Sequence, residues 1–288
     1  MRSDDFSWVT VVIVTFNSEH CIASLASSLC GLPNIIFSDN GSSDKTVELI
    51  EKYLPNSKII CNGINLGFGK ANNLALKNVS TPYALILNPD CEIEFGFFDS
   101  LYDVTRIYPE ASVIAPQLVD RSGNREINYR WPSSEWRSRG PGADGPLCVG
   151  FICGAAMLFN MRHMQKSGFF DESYFLYYED EDLCQRLFIN KQQMIIAPHL
   201  SVKHFSRGSV KGPNALESEF IRGFNHVQSK LLFTSRYSGI QAARQLRRRL
   251  LLRSMINVPF RVLIPQPKYW ARLAGRIAGL LSKNSTNF

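Results

Sequence analysis

Four consecutive acids, Glu179, Asp180, Glu181 and Asp182, sit inside the stretch YYEDEDLCQRL at residues 177–187. Leu183, Leu187 and Phe188 follow at helical spacing, which puts the acids in the first turn of an amphipathic helix, where the partial positive charge of the N-terminus favours carboxylates. Most acid clusters of this kind are solvated caps. The flank argues for more: Tyr174, Phe175, Tyr177 and Tyr178 offer aromatic walls that would desolvate one carboxylate, and a desolvated carboxylate can act as a general base. Neighbouring helical residues point about 100° apart, so only one or two of the four acids can face a site, and Glu181 and Asp182 are expected to serve the helix.

The other residues able to do chemistry lie where apolar runs end. Trp8–Val14 is a short, β-branched, nearly continuous apolar run, as expected of a strand buried on both faces, and Thr15, Phe16 and Asn17 close it. Ser18 is placed to cap a helix over Glu19–Leu29, and a second buried strand follows at Asn34–Phe37. That strand runs into Ser38-Asp39-Asn40-Gly41, and in open parallel sheets ligands bind beyond the carboxyl ends of the strands. A third strand, Lys58–Cys61, leads to Asn65-Leu66-Gly67-Phe68-Gly69-Lys70 and a helix at Ala71–Lys77. This glycine-rich turn is either a simple tight turn or an anion site at a helix N-terminus. A fourth strand, Tyr83–Leu87, ends in Asn88-Pro89-Asp90, where Asp90 either caps the next helix or holds a divalent ion beside phosphates. Strand, helix, strand, repeated, is the opening of a parallel α/β fold.

The 288 residues, 45% hydrophobic, suffice for a substantial core in one large domain with an appendage. The net charge of +7 is unevenly placed, because Glu219 is the last acid; residues 1–219 carry −6 and residues 220–288 carry +13. The seven cysteines are odd in number, form no CxxC pair and sit mostly in apolar segments. They read as reduced core residues, with no disulfide frame or zinc site. The N-terminus, MRSDDFSW, has acids where a signal peptide needs bases, and no apolar run approaches the ~18 residues needed to span a bilayer.

Taken together, VVIVTFN, SDNGSSD, NLGFGKANN, LNPD and YYEDEDLCQRL, in this order and spacing over roughly residues 8–235, resemble the inverting nucleotide-sugar glycosyltransferases of the GT-A fold, family 2, and among them the rhamnosyltransferase-like members. The resemblance implies an α/β GT-A domain over residues 1–237, with a mostly parallel central sheet flanked by helices, and a basic helical tail over 238–288. It implies that Thr15, Phe16 and Asn17 line the nucleotide pocket and that Asp39, with Asn40 beside it, accepts the imide N–H of uracil or thymine. Asn65, Gly67, Gly69 and Asn72 would meet the ribose and diphosphate, Gly154 and Ala155 the sugar or acceptor, and Arg207 and Lys211 would close over the diphosphate. Asp90 matches the last Asp of the family's Asp-x-Asp metal motif, and Asn88 replaces the first. A lone His is most often structural, but the matching family position makes His204 the second ligand, with Asp90, for Mg2+ or Mn2+. Asp180 would be the catalytic base, with Glu179 next to it.

Two segments remain. Trp131–Gly145, rich in Pro, Gly, Ser and Arg, reads as a long loop, either solvated or, through Arg130, Trp131, Trp136, Arg137 and Arg139, meeting an acidic or lipid-linked acceptor. Beyond a helix at Ala215–Tyr237, Trp270, Leu273, Ala274, Ile277, Leu280 and Leu281 line one face of a basic helix. Such a face lies in an anionic membrane interface, docks on the protein's own core or joins a second subunit, and the absence of acids favours the membrane. The expected reaction is transfer of a sugar, rhamnose from dTDP-rhamnose as first choice, from a nucleotide-diphosphate sugar to a lipid-linked glycan acceptor in cell-surface polysaccharide synthesis, at the cytoplasmic face of the cell membrane. The alternatives are a UDP-sugar transferase with another acceptor, or a non-catalytic membrane- or nucleic-acid-binding protein. No GxGxxG follows the first strand as a dinucleotide oxidoreductase would need, no QxxRW follows the acids as in a processive synthase, and a nucleic-acid partner is not expected, the body being acidic and without a binding motif.

Overall fold

A computed structural model of the chain describes residues 6–130, 142–205, 215–262 and 266–282. They fall into two compact units, one of residues 1–171 and 180–211, the other of residues 172–179 and 212–288.

The first unit opens with β1 (Val9–Thr15), α1 (Glu19–Ser28), β2 (Ile35–Asp39), α2 (Thr46–Tyr53), β3 (Lys58–Cys61), α3 (Phe68–Leu76) and β4 (Tyr83–Leu87). It continues with β5 (Cys91–Ile93), α4 (Phe97–Ile107), β6 (Ala111–Val119), β7 (Arg125–Glu126), β8 (Tyr129–Arg130), β9 (Leu147–Cys148) and β10 (Phe151–Ile152). It closes with β11 (Ala156–Asn160), α5 (Met161–Ser167), α6 (Glu179–Ile189) and β12 (Gln193–His204). The main sheet has the order β3-β2-β1-β4-β11-β6-β12-β5, with β7 on β6 and β9 on β12. β3, β2, β1 and β4 pair in parallel, as do β6 and β12, while β11 runs antiparallel between β4 and β6. The sheet is therefore mixed, with its parallel half where the sequence places it.

Every residue of β1 is buried, because both faces of the sheet are covered. Val11, Ile13, Leu85 and Leu87 join one apolar cluster with Ile22 and Leu25 of α1, Ile50 of α2 and Leu101 of α4. The intervening Val12, Ala84 and Ile86 join the opposite cluster with Ala75 of α3, Met164 of α5 and Leu183 and Leu187 of α6. This period-two split fixes the strand register, since a one-residue slip would exchange the two faces.

Several boundaries differ from the sequence reading for identifiable reasons. Ser18 makes no side-chain cap on α1. Instead Asp44 Oδ2 accepts the Glu19 N–H and Glu19 Oε2 accepts the Lys45 N–H, so the starts of α1 and α2 satisfy each other's exposed donors. α3 begins three residues before Ala71, drawing Gly69 into its first turn. Asp90 precedes a short strand and caps no helix. The strand expected over 151–157 is broken at Cys153-Gly154-Ala155: Phe151 and Ile152 pair with β8 in a separate two-stranded ribbon, and β11 starts at Ala156.

The second unit comprises α7 (Ala215–Ser238), α8 (Ile240–Val262), α9 (Pro267–Leu281) and the segment 172–179. Here α7 groups with the tail helices, whereas the sequence reading put the domain division after residue 237. A β-carbon on Gly275 would overlap the Phe220 carbonyl, and one on Gly279 would lie 2.9 Å from the Phe224 carbonyl oxygen, so α9 approaches α7 backbone to backbone. Of the apolar face read on α9, Leu273 and Leu280 are buried and Leu281 is exposed; Leu280 packs with Val227 and Leu231 of α7. Among the described residues no helix is long and apolar enough to cross a membrane.

Candidate active site

Thr15 and Asp39 end adjacent parallel strands in register, and their side chains meet: Thr15 Oγ1 donates to Asp39 Oδ1 at 2.9 Å. Ser42 Oγ donates to the same oxygen at 2.5 Å, and the N–H groups of Gly41 and Ser42 donate to Oδ2 at 3.1 and 2.8 Å. These four donors fill the acceptor capacity of the buried carboxylate. Asp39 therefore braces the loop after β2 as well as ending its strand. Asn17, at φ 50°, accepts the Ser43 N–H at 2.8 Å, and Phe16 beside it is half-buried. Asn40 staples this loop to the next one, donating to the Gly67 carbonyl at 3.2 Å and accepting from Asn62 at 3.0 Å. Asn65 Oδ1 accepts the Gly67 N–H at 2.9 Å, and Gly67 takes φ +85° to turn into α3. Asn72 is fully buried; its amide donates to the Phe68 carbonyl, while its Oδ1 has no hydrogen-bond partner among the described residues.

One strand pair further along, ligand atoms of Asp90, Cys91 and His204 lie within 4.8 Å of one another. His204 pairs in register with Cys91, and the Phe205 N–H donates to the Asp90 carbonyl at 3.0 Å, so β12 returns the imidazole to the end of β4. His204 Nε2 lies 3.7 Å from Asp90 Oδ1, and its Nδ1 lies 3.9 Å from Glu126 Oε2. Burial, with Asp90 nearby, pushes the Cys91 thiol well above its usual range, and the thiol donates to the Ala155 carbonyl. The donor set open to a cation is thus one carboxylate and one imidazole, hard enough for Mg2+ or Mn2+ and leaving positions for phosphate oxygens and water. A cleft of about 410 Å³ opens beside it, lined by His20, Cys21, Asp90, Glu92, Arg121 and Phe205.

Asp180 lies in the first turn of α6, half-buried. Its Oδ2 accepts the Gly154 N–H at 3.1 Å and its Oδ1 the Glu181 N–H at 2.9 Å. Burial, and then the charge of Glu181, push its carboxyl from 3.8 up to about 6, against the lowering effect of those N–H bonds. A β-carbon at Gly154 would make ordinary van der Waals contact, 3.4 Å from Asp180 Cβ and 3.6 Å from the Phe68 ring, so the two elements lie close here. Glu181 forms an ion pair with Arg130, and Asp182, fully buried, is bound by Arg186 at 2.8 Å. Glu179 is buried and ends the segment that belongs with the second unit. The rings expected to wall the acids turn to α7: Tyr177 and Tyr178 pack on His226, and Arg236 lies over Tyr174.

The structure therefore gathers Thr15, Asp39, Asn40, Asp90, Ala155, Gly154, Asp180 and His204 along one edge of the sheet, because β11 starts where β4 ends: Ala156 pairs with Leu87, and the Asn88 N–H donates to the Ala155 carbonyl at 2.9 Å. Arg207, Lys211 and Trp131, Trp136, Arg137 and Arg139 lie outside the described residues. Sequence reasoning missed Glu126 behind His204 and the partnership of Arg130 with Glu181, which no local spacing signals.

Residues 10–165 match the family model for glycosyl transferase family 2. The chain is 25% identical over 266 residues to the N-acetylglucosaminyl-diphospho-decaprenol L-rhamnosyltransferase of Mycobacterium tuberculosis, covering 80% of this chain and 85% of that protein. Its fold is similar to that of GalNAc-T7 solved with UDP, GalNAc and Mn2+, with TM-score 0.55 and 15% identity, covering 77% of this chain and 47% of that one, so the chain spans about half of that structure. It is also similar to the mannosyltransferase PcManGT of Pyrobaculum calidifontis with GDP-Man and Mn2+, with TM-score 0.56 and 12% identity, covering 96% and 86%.

Proposed function

We propose a specific reaction for this chain, which belongs to glycosyl transferase family 2 and is a glycosyltransferase: inverting transfer of a sugar from a nucleotide diphosphate to a lipid-linked glycan in cell-surface polysaccharide synthesis. Rhamnose from dTDP-rhamnose is the first choice of donor, and a UDP sugar the second. The observation that carries the reading is Asp180, a half-buried carboxylate raised to about 6, held on the same sheet edge as the Asp90–His204 cluster. The relative of similar length is named for a rhamnosyl transfer to an N-acetylglucosaminyl-diphospho-decaprenol, which supports rhamnose as the sugar and a lipid-linked acceptor.

In this mechanism Asp180 accepts a hydrogen bond from the acceptor hydroxyl and takes its proton as the oxygen bonds to the anomeric carbon. The bond from that carbon to the diphosphate breaks with its electron pair leaving on the diphosphate. A single displacement inverts the anomeric centre. A pKa near 6 leaves Asp180 ionised at neutral pH yet more basic than an ordinary carboxylate. The Gly154 and Glu181 N–H groups, one on each oxygen, would hold the carboxylate in orientation. A divalent ion held by Asp90 and His204 would supply charge neutralisation for the leaving group. Thr15, Phe16, Asn17, Asp39, Asn40, Asn65, Gly67 and Gly69 would shape the nucleotide pocket, with Asp39 also holding its loop. Asn72 would offer its Oδ1 towards the ribose.

The tail is proposed to rest on anionic lipid at the inner face of the membrane. With Leu273 and Leu280 of α9 engaged on α7, the contact falls to α8, where Leu252, Met255 and Ile256 are exposed among Arg248, Arg249 and Arg253. The first test is a screen of dTDP and UDP sugars with Mg2+ or Mn2+, with and without a membrane lipid extract. One donor should turn over only with extract, and Asp180→Asn and chelation should each abolish it. No donor binding or turnover across the panel would refute the reading.

A further inference from the structure

We infer that Arg130 is a positioning residue for the base: by pairing with Glu181 and stacking on Phe151, it offsets part of the charge of the acid beside Asp180 and ties the base helix to the β8–β10 ribbon. The inference rests on Asp180 being the base.

Arg130 and Phe151 face each other in register on β8 and β10, and the guanidinium lies 4.3 Å from the centre of the Phe151 ring. From that seat it reaches Glu181, in a pair whose side chains are only 15% and 25% exposed. A pair so sheltered from water is screened much less than a surface pair. The ribbon then runs through Cys153 into Gly154, whose N–H donates to Asp180 Oδ2. One residue pair earlier, the Ile152 N–H and carbonyl face the Cys184 thiol at 3.4 and 3.6 Å. The ribbon is closed on itself by the Cys153 N–H on the Asn128 carbonyl at 2.8 Å and the Gly150 N–H on the Arg130 carbonyl at 3.0 Å. Two strands of two residues thus grip three points of α6, at Asp180, Glu181 and Cys184. Arg130 supplies the only charged grip among the described contacts.

The ionisable groups around Asp180 are Glu179 before it, Glu181 after it, Cys184 one turn on and Cys153 on the ribbon. Burial pushes the Cys184 thiol above its usual range, which keeps it neutral. From α3 the neighbour of this corner is the apolar Phe68. Of these groups Glu181 is the one whose charge raises the Asp180 carboxyl, and Arg130 opposes that charge. Removing Arg130 leaves a bare negative charge next to Asp180 and makes its proton harder to lose. Removing Glu181 leaves the guanidinium and makes the proton easier to lose.

The test is the acid limb of kcat/KM for the acceptor in four full-length enzymes. Wild type should show a limb near pH 6. Arg130→Gln should move it up by about one unit, a roughly tenfold loss of rate at a fixed acidic pH, and Glu181→Gln should move it down by a similar amount. The double variant should return close to wild type, and Arg130→Lys should keep the wild-type limb. The limb's position does not depend on how much of a preparation is folded, so a loss of yield does not mimic the shift. Limbs that stay put or move in the same direction in both single variants, while Asp180→Asn remains inactive, would overturn the role of Arg130 and leave the base standing. An active Asp180→Asn enzyme would instead overturn the assignment of the base itself.

Discussion

Replacing Asp180 by Asn should kill the enzyme and stabilise the protein. The carboxyl rises from 3.8 to about 6 on folding because burial and Glu181 disfavour its charge. The folded state therefore holds more protons than the unfolded state between those two values. Stability contributed by this group is greatest below pH 3.8, falls as pH rises through the window and is fully lost above 6. A rise of about two units corresponds to about 3 kcal/mol at pH 7, which is a ceiling because the half-buried carboxylate keeps one side towards solvent. Asn can accept the Gly154 N–H but not also the Glu181 N–H, which returns about 1 kcal/mol. The expected net gain is about 1–2 kcal/mol at pH 7, vanishing or reversing at pH 4. Urea unfolding of both proteins at pH 8, 7, 5 and 4 measures it. A difference that does not change between pH 8 and pH 4, or a variant that is less stable at pH 7, would refute the reasoning that the base is held at the expense of the fold.

Two other predictions concern the ion and the tail. His204→Ala should weaken Mn2+ binding, measured by calorimetry in the presence of nucleoside diphosphate, by about tenfold or more, while Cys91→Ser should leave it near wild type because the thiol donates to the Ala155 carbonyl. Paired Leu252→Asp and Met255→Asp changes on α8 should abolish co-sedimentation with vesicles containing anionic lipid, whereas turnover of a water-soluble acceptor should persist; vesicle binding equal to wild type would remove α8 from the membrane.

The strand ends that carry the site were legible because the same physics that buries a strand stops it. The run Val9–Val14 has no polar residue but Thr10, and Thr15 meets Asp39 where both strands leave the core. Asp90 was legible for the same reason. What escaped was non-local. The pairing of Arg130 with Glu181 spans 51 residues, and nothing in either neighbourhood signals the other. The break at Gly154 was hidden because Phe151–Met157 reads as one apolar run, although its small residues were a signal of close approach. The face of α9 was read correctly as a face, but periodicity names no partner; the glycines at 275 and 279, one turn apart, were the clue that a backbone would lie against it.

The division of labour among the acids was the least legible property of all, because a sequence shows where carboxylates are and not how many donors reach them. Asp39 receives four hydrogen bonds from Thr15 and its own loop. Asp182 is fully buried against Arg186, whose remaining nitrogens hold the Ser167 and Phe169 carbonyls, so it organises the turn before the base. Glu181 is committed to Arg130. Asp180 receives one backbone N–H from the ribbon and one from its own helix, enough to orient it and too few to satisfy a buried charge, and burial raises its carboxyl to about 6. An acid held in place but left short of donors is the one able to take a proton, and that shortage is made by the ribbon, by Phe68 and by a neighbouring charge, none of which a motif encodes.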